Sequence, residues 1–159
     1  MTPGFFAYHS PVPTSTRPAW DDYFMGFALA ASRRATCDRK HVGAVIVVHH
    51  QVVATGYNGS VRGMPHCDDA GHDMDHGHCV RTIHAEMNAI AQAASRGVAV
   101  EGASIYTTAS PCWDCFRVLV NAGIHRFIYG EPYREGEHRQ RIDEVAKTLG
   151  LEVKALEAK

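Results

Sequence analysis

An α/β sandwich around one mixed sheet is the fold class this chain predicts, and three observations carry the prediction. Stretches of strand character alternate with stretches of helical periodicity along most of the length. One of them, Val42-Gly-Ala-Val-Ile-Val-Val48, is β-branched and almost wholly apolar, as a strand covered on both faces must be. The segments richest in metal-ligand residues open helices that follow strands or loops, which is where α/β folds place their sites.

The elements follow in order. Pro18 and Asp21-Asp22 mark a helix start, and Trp20, Phe24, Phe27, Ala28 and Ala31 recur at helical spacing, which predicts a core-facing stripe. The pattern breaks at Cys37. His49-His50-Gln51 turns the strand at 42–48 into a second one, Val52 to Gly56, as an antiparallel hairpin. Gly56-Tyr-Asn58-Gly59 reads as a turn closing that hairpin, and a polar loop from Ser60 to about Arg81 follows. A loop that long is either functional or held by something. His84 to Ser95 is helical, with Met87, Ile90, Ala91 and Ala94 on one face and Gly97 past its end. Ala103 to Thr108 is a strand. Ser110 is placed to cap the next helix with Pro111 at its first position, so Cys112 and Cys115 fall in its first turns. Arg126 to Tyr129 is a strand, Glu137 to Leu149 a helix, and Leu151 to Leu156 a last strand.

With 159 residues, 45% hydrophobic and 21% charged, the chain has the size and composition of one globular domain. We place it at 18–159, after a flexible Pro/Ser/Thr-rich arm at 1–17. A net charge of −1 disfavours a broad nucleic-acid surface but leaves room for a small anionic substrate. No apolar run approaches the roughly 20 residues of a membrane span, and the arm lacks the apolar core of a signal peptide. A cytoplasmic protein is the expectation. In that setting five cysteines point to metal rather than disulfides.

The chemistry concentrates in two segments, Cys79-Val-Arg-Thr-Ile-His84-Ala-Glu86 and Ser110-Pro-Cys112-Trp-Asp-Cys115. One imidazole and two thiols three residues apart supply the three protein ligands of a catalytic zinc, with the fourth position left to water. Zinc lowers the pKa of such a water to ~7. Glu86, two residues beyond His84, is the proton shuttle. A structural zinc normally closes with a fourth protein ligand, and Glu86 would then have no task. The first turn of a helix favours thiolate, which suits both cysteines.

With these motifs the chain resembles the zinc-dependent cytidine deaminase superfamily, and within it the deoxycytidylate (dCMP) deaminases, which include bacterial competence-operon proteins. The likeness is carried by Val42-Gly-Ala-Val-Ile-Val, Thr55-Gly-Tyr-Asn-Gly, Cys79-Val-Arg-Thr-Ile-His-Ala-Glu-Met-Asn-Ala-Ile and Tyr106-Thr-Thr-Ala-Ser-Pro-Cys-Trp-Asp-Cys, and is extended by Ala122-Gly-Ile-His-Arg-Phe-Ile-Tyr and Tyr133. The resemblance implies a three-layer αβα sandwich with five strands and a homo-oligomer, often a hexamer. It implies hydrolysis of dCMP to dUMP and ammonia, feeding thymidylate synthesis, with dCTP and dTTP as effectors. It also implies that Asn58 contacts the sugar, that Tyr133 packs near the pyrimidine, and that Ala85 and Ser110 lie against the substrate.

Cys37, Cys67 and Cys79 remain, two of them in the overlong loop, and suggest a second, structural zinc. Its fourth ligand is one of His66, His72, His76 and His78; similar sequences carry a cysteine where His72 stands, which favours His72. The substrate phosphate needs a cation, for which Arg39, Lys40, Arg62, Arg81 and Arg134 are eligible. The competing functions are a deaminase of another base, in tRNA, DNA or free form, and a non-enzymatic zinc module. The retained Glu86 opposes the second.

Overall fold

The computed structural model describes residues 16–133 and 137–157. Nearly all of the expected arm at 1–17, and Arg134, lie outside the described residues. Helix α1 (Trp20–Ser32) leads into strands β1 (Gly43–Val48) and β2 (Gln51–Tyr57). Helix α3 (Ala85–Ser95), β7 (Ser104–Ala109), α4 (Trp113–Asn121), β8 (Arg126–Glu131), α5 (Glu137–Leu149) and β9 (Glu152–Ala155) complete the main frame. Its five strands run in the order β2-β1-β7-β8-β9. β1 pairs antiparallel with β2 and β7, whereas β7, β8 and β9 are mutually parallel, so the sheet is mixed as expected.

Strand alternation sorts the core onto two faces. On one side Val45 and Val47 of β1 meet Phe24, Met25 and Ala28 of α1 with Tyr106 and Ile128. On the other, Ala44 and Ile46 meet α3, α4 and α5 through Ala89, Phe116, Leu119 and Ile142. The result is the expected three-layer αβα sandwich. Asp21 ties α1 to the sheet: Arg126 donates two hydrogen bonds to its carboxylate at 2.8 and 2.9 Å, Tyr106 donates a third at 2.9 Å, and Arg126 holds the Asp21 carboxyl below its usual range.

Several expectations are corrected. Of the aromatic stripe on α1, Phe24 is buried but Trp20 and Phe27 are exposed; Met25, one residue along from Phe24, takes the core position instead. Trp20 lies over the His50 ring at 4.4 Å between centroids. His49 and His50 form the hairpin turn with φ of 47° and 60°, the left-handed geometry that matches strand twist. The segment Gly56-Tyr-Asn58-Gly59 is not a turn. β2 runs through Tyr57, and the chain continues as β3 (Gly59–Ser60), which pairs with β6 (Thr82–Ile83). Between them, the stretch read as one loop holds a short helix α2 (Cys67–Ala70) and a ribbon of β4 (Met74–Asp75) and β5 (His78–Cys79).

Helix α3 buries Ala85, Glu86, Ala89 and Ala93; of the expected Met87, Ile90, Ala91 and Ala94 face, Ile90 packs half-buried against the core, while Ala91 and Ala94 are exposed. The reason is close approach. A Cβ on Gly56 would stand 2.1 Å from the Ala85 carbonyl oxygen and 2.5 Å from the Ala89 nitrogen, so the helix backbone rests directly on β2. Only small residues fit that seam. Gly43 does the same for α1, where a Cβ would meet the Ala28 oxygen at 2.0 Å.

Candidate active site

The N-termini of α3 and α4 bring the first motif pair together. His84 is the N-cap of α3 and Cys112 the N-cap of α4, so neither side chain is committed to a helical turn. Ser110 is therefore not the cap of α4, and Pro111 lies outside it. Ser110 is held elsewhere, because the Tyr133 N–H donates to its hydroxyl oxygen at 2.7 Å.

His84 Nδ1 lies 3.5 Å from Cys112 Sγ and 3.4 Å from Cys115 Sγ. Donors 2.0–2.3 Å from a tetrahedral zinc stand about 3.5–3.8 Å apart, so the three fit one ion. Their charge state agrees. Cys112 is drawn down to about 4, chiefly by its hydrogen bond with Cys115 and then by His84, while Cys115 is pushed up by that same pairing and by burial. Two thiols sharing one proton are the donor pair a divalent cation binds by displacing it. The Cys115 N–H also donates to Cys112 Sγ at 3.5 Å, the helix-terminus contribution expected for a cap.

Glu86 is buried beside this set, and burial pushes its carboxyl up to about 7. A carboxyl tuned near neutrality is suited to take and return a proton. It is not among the three grouped donors, which leaves a coordination position for water.

A second group assembles from Cys37 before β1, Cys67 at the start of α2, His72 in the link between α2 and β4, and Cys79 at the end of β5. Cys67 and Cys79 Sγ are 3.6 Å apart, and Cys37 Sγ lies 3.7 Å from His72 Nδ1, again the edges of a zinc tetrahedron. Burial pushes Cys67 up to about 12; Cys79, despite the same effect, is pulled down to about 6 by hydrogen bonds with the Asp73 backbone and His72. Four donors are enough to fill the coordination of one such ion. Of the four candidate histidines, the structure brings His72 into this group. Its other nitrogen, Nε2, is 3.0 Å from the Asp38 carboxylate, which fixes the ring with Nδ1 inward. Asp38 was missed in the sequence, where only its place next to Cys37 could have flagged it.

A cavity of about 210 Å³ opens over the first group, with Asn58, Ala85, Glu86, Ser110 and Tyr133 on its wall. Asn58 is buried, and both ends of its amide hold the chain before β1: Oδ1 accepts from the Val42 N–H and Nδ2 donates to the Lys40 carbonyl, each at 2.8 Å. Arg39 and Lys40 also line this cavity, whereas Arg62 does not. Arg81 donates to the Gly71 carbonyl at 2.9 Å and lies off the cavity.

An open three-donor metal set beside a buried acid, in an αβα sandwich, defines the class: a metal-dependent hydrolytic enzyme fold. Comparison with known proteins narrows it. Residues 18–131 match the family model described as the cytidine and deoxycytidylate deaminase zinc-binding region. The chain is 45% identical over 130 residues to ComE operon protein 2 of Bacillus subtilis, covering 82% of this chain and 69% of that one. It is 36% identical over 146 residues to the deoxycytidylate deaminase of Saccharomyces cerevisiae, covering 87% of this chain but only 45% of the yeast protein, so it spans under half the length of that relative. The crystal structure of dCMP deaminase from cyanophage S-TIM5 in complex with dCMP and dUMP superposes with a TM-score of 0.74 at 28% identity, over 89% of this chain and all of that one. The chain belongs to the cytidine and deoxycytidylate deaminase zinc-binding family. Among the described residues no helix is long and apolar enough to cross a membrane.

Proposed function

We propose that this chain, as one catalytic domain over 18–159, is a zinc-dependent deoxycytidylate deaminase that converts dCMP and water to dUMP and ammonia. The observation that carries the reading is the buried Glu86 beside three grouped metal donors, on a cavity of about 210 Å³ lined by Glu86, His84 and Cys112. The kinship with dCMP deaminases supports the substrate. His84, Cys112 and Cys115 hold the ion. Zinc, when bound, makes a water acidic enough to act as a nucleophile near neutral pH. Glu86 takes one proton from the attacking water and delivers it to the ring nitrogen N3, then takes the second from the new hydroxyl on C4 and passes it to the amino group, which leaves as ammonia as the C4 carbonyl forms. Burial of Glu86 keeps that proton from exchanging with bulk solvent. Ala85 and Tyr133 flank the base, and Asn58 both braces the wall and faces the sugar. Ser110, bonded to the Tyr133 N–H, keeps the two sides of the cavity in register. Incubation with dCMP should release ammonia and dUMP in equal amounts; an intact, zinc-loaded protein that releases neither overturns the reading.

Cys37, Cys67, His72 and Cys79 hold a second zinc whose task is to fold the 60–81 segment. Cys67→Ser should lower bound zinc by about one ion per chain and reduce the melting temperature. An unchanged metal count and an unchanged melting temperature would leave that cluster as buried thiols only.

A homo-oligomer is supported by the exposed Trp20, Tyr23, Phe27 and Leu29 of α1; a hexamer rests on the resemblance alone. Regulation by dCTP and dTTP rests on the resemblance alone. A cytoplasmic location is supported by the grouping of all five cysteines as metal donors rather than disulfides.

A further inference from the structure

We propose that the outer face of α1 is a two-fold contact between copies of this chain, in which two α1 helices pack antiparallel with their midpoints, near Gly26, opposed. The inference rests on the homo-oligomer reading above and adds the direction and register of the pairing.

Composition sets α1 apart. α1 and α5 are both 13 residues long. α5 carries Arg139, Arg141, Asp143, Glu144 and Lys147, as a helix facing water does. α1 has no charged residue after Asp22. On one side Phe24, Met25 and Ala28 are buried on the sheet, yet on the other Trp20, Tyr23, Phe27 and Leu29 are exposed. A helix that is apolar all round belongs in an interior, and a contiguous exposed apolar face marks a contact surface. This face is also ordered in advance. Tyr23 stands edge-on to Trp20 and to Phe27, with ring centres 5.8 and 5.1 Å apart, and Trp20 rests on His50. Side chains already held by one another lose little further freedom on burial.

A second copy fits this face because the face matches itself in reverse. A two-fold contact pairs one patch with the same patch turned end for end. Asp21 and Asp22 stand in the first turn of α1, and the exposed Arg33 and Arg34 directly follow its end. Antiparallel pairing brings the acidic start of one helix to the basic end of the other, whereas parallel pairing sets like charges together. Asp21 is engaged by Arg126 within the chain, so the charge match falls to Asp22 and the partner's Arg33. The apolar residues suit the same pairing: the bulky Trp20 and Tyr23 lie in the first half of the helix, the smaller Leu29 and Ala30 in the second. Gly26, at the midpoint, has nothing within 4 Å of an added Cβ, which leaves open space where the two helices cross.

Two readouts test the contact. The double variant Tyr23→Glu, Phe27→Glu sets like charges against each other across the two-fold, so the native mass from light scattering should fall by about half or more, with far-UV dichroism and bound zinc at the wild-type level. Register is read from Gly26→Cys treated with diamide. A residue near the two-fold meets its own copy within disulfide reach, so this variant should form a covalent dimer well above the background set by the five cysteines of the wild type. Arg33→Cys, with its copy about 20 Å away along the antiparallel pair, should stay at that background. An unchanged mass in the double variant, linking at Gly26→Cys no higher than background, or a stronger link at Arg33→Cys overturns the antiparallel α1 contact while leaving a homo-oligomer built otherwise. A wild type that is monomeric at every concentration overturns the homo-oligomer as well, and gives the face to residues 1–17 or to a different protein.

Discussion

Glu86→Gln should retain zinc at both clusters and keep its fold, yet lose turnover by about 10²–10⁴-fold in kcat. The substitution removes only the capacity to accept and return a proton. Glutamine has nearly the same shape, and Glu86 is buried on α3 next to, but not within, the three-donor set. Metal content measured on the purified variant separates the two roles open to this carboxylate. Loss of zinc would make Glu86 a ligand. Retained zinc with near-wild-type turnover would remove it from proton transfer altogether.

Gly56→Ala should be at least as damaging, by a different route. Overpacking a tight interior costs about 1–3 kcal/mol when side chains can give way. Here the added Cβ meets the Ala85 carbonyl oxygen and the Ala89 nitrogen, which are backbone and cannot rotate aside. The cost should therefore exceed about 3 kcal/mol, and any surviving folded protein must lift α3 off β2, moving His84 and Glu86 away from Cys112 and Cys115. A denaturation midpoint and a zinc count read both effects. Gly26 is the control: nothing lies within 4 Å of a Cβ there, in the interior of α1, so Gly26→Ala should stabilise by about 0.5–1 kcal/mol. A Gly56→Ala protein with wild-type stability and full zinc would refute the packing of the catalytic helix on the sheet.

The contrast between these positions also explains what could be read from the sequence. His84, Glu86, Cys112 and Cys115 were legible because their spacing is local: each pair is set by one helix start, and the chemistry demands those residue types. The strand around Val42–Val48 was legible for the same reason, since a continuous β-branched, apolar run marks a strand buried on both faces without knowledge of its partners. The buried face of α3 was not. Met87 is more apolar than Ala89 and Ala93, but the backbone of β2 leaves room only for the alanines at the seam, and nothing local to α3 records that. Ser110 looks like a cap until Tyr133, 23 residues on, takes its hydroxyl. Cys37, Cys67 and Cys79 stood out as spare thiols, and His72 was favoured by the cysteine that similar sequences carry there; the chain's own residues left four histidines open until the fold brought Cys37 across to His72. Likewise, of the four eligible cations among the described residues, Arg39 and Lys40 were separated from Arg62 and Arg81 only once a cavity wall existed to sort them.

The account is tested most directly by ammonia release from dCMP, deoxycytidine, CMP, cytosine and adenosine, measured side by side on one preparation with its zinc counted. Turnover strongly favouring dCMP, in protein carrying zinc at both clusters, is the predicted result. Zinc-loaded protein that leaves dCMP untouched and acts on another base, or on none, would contradict it.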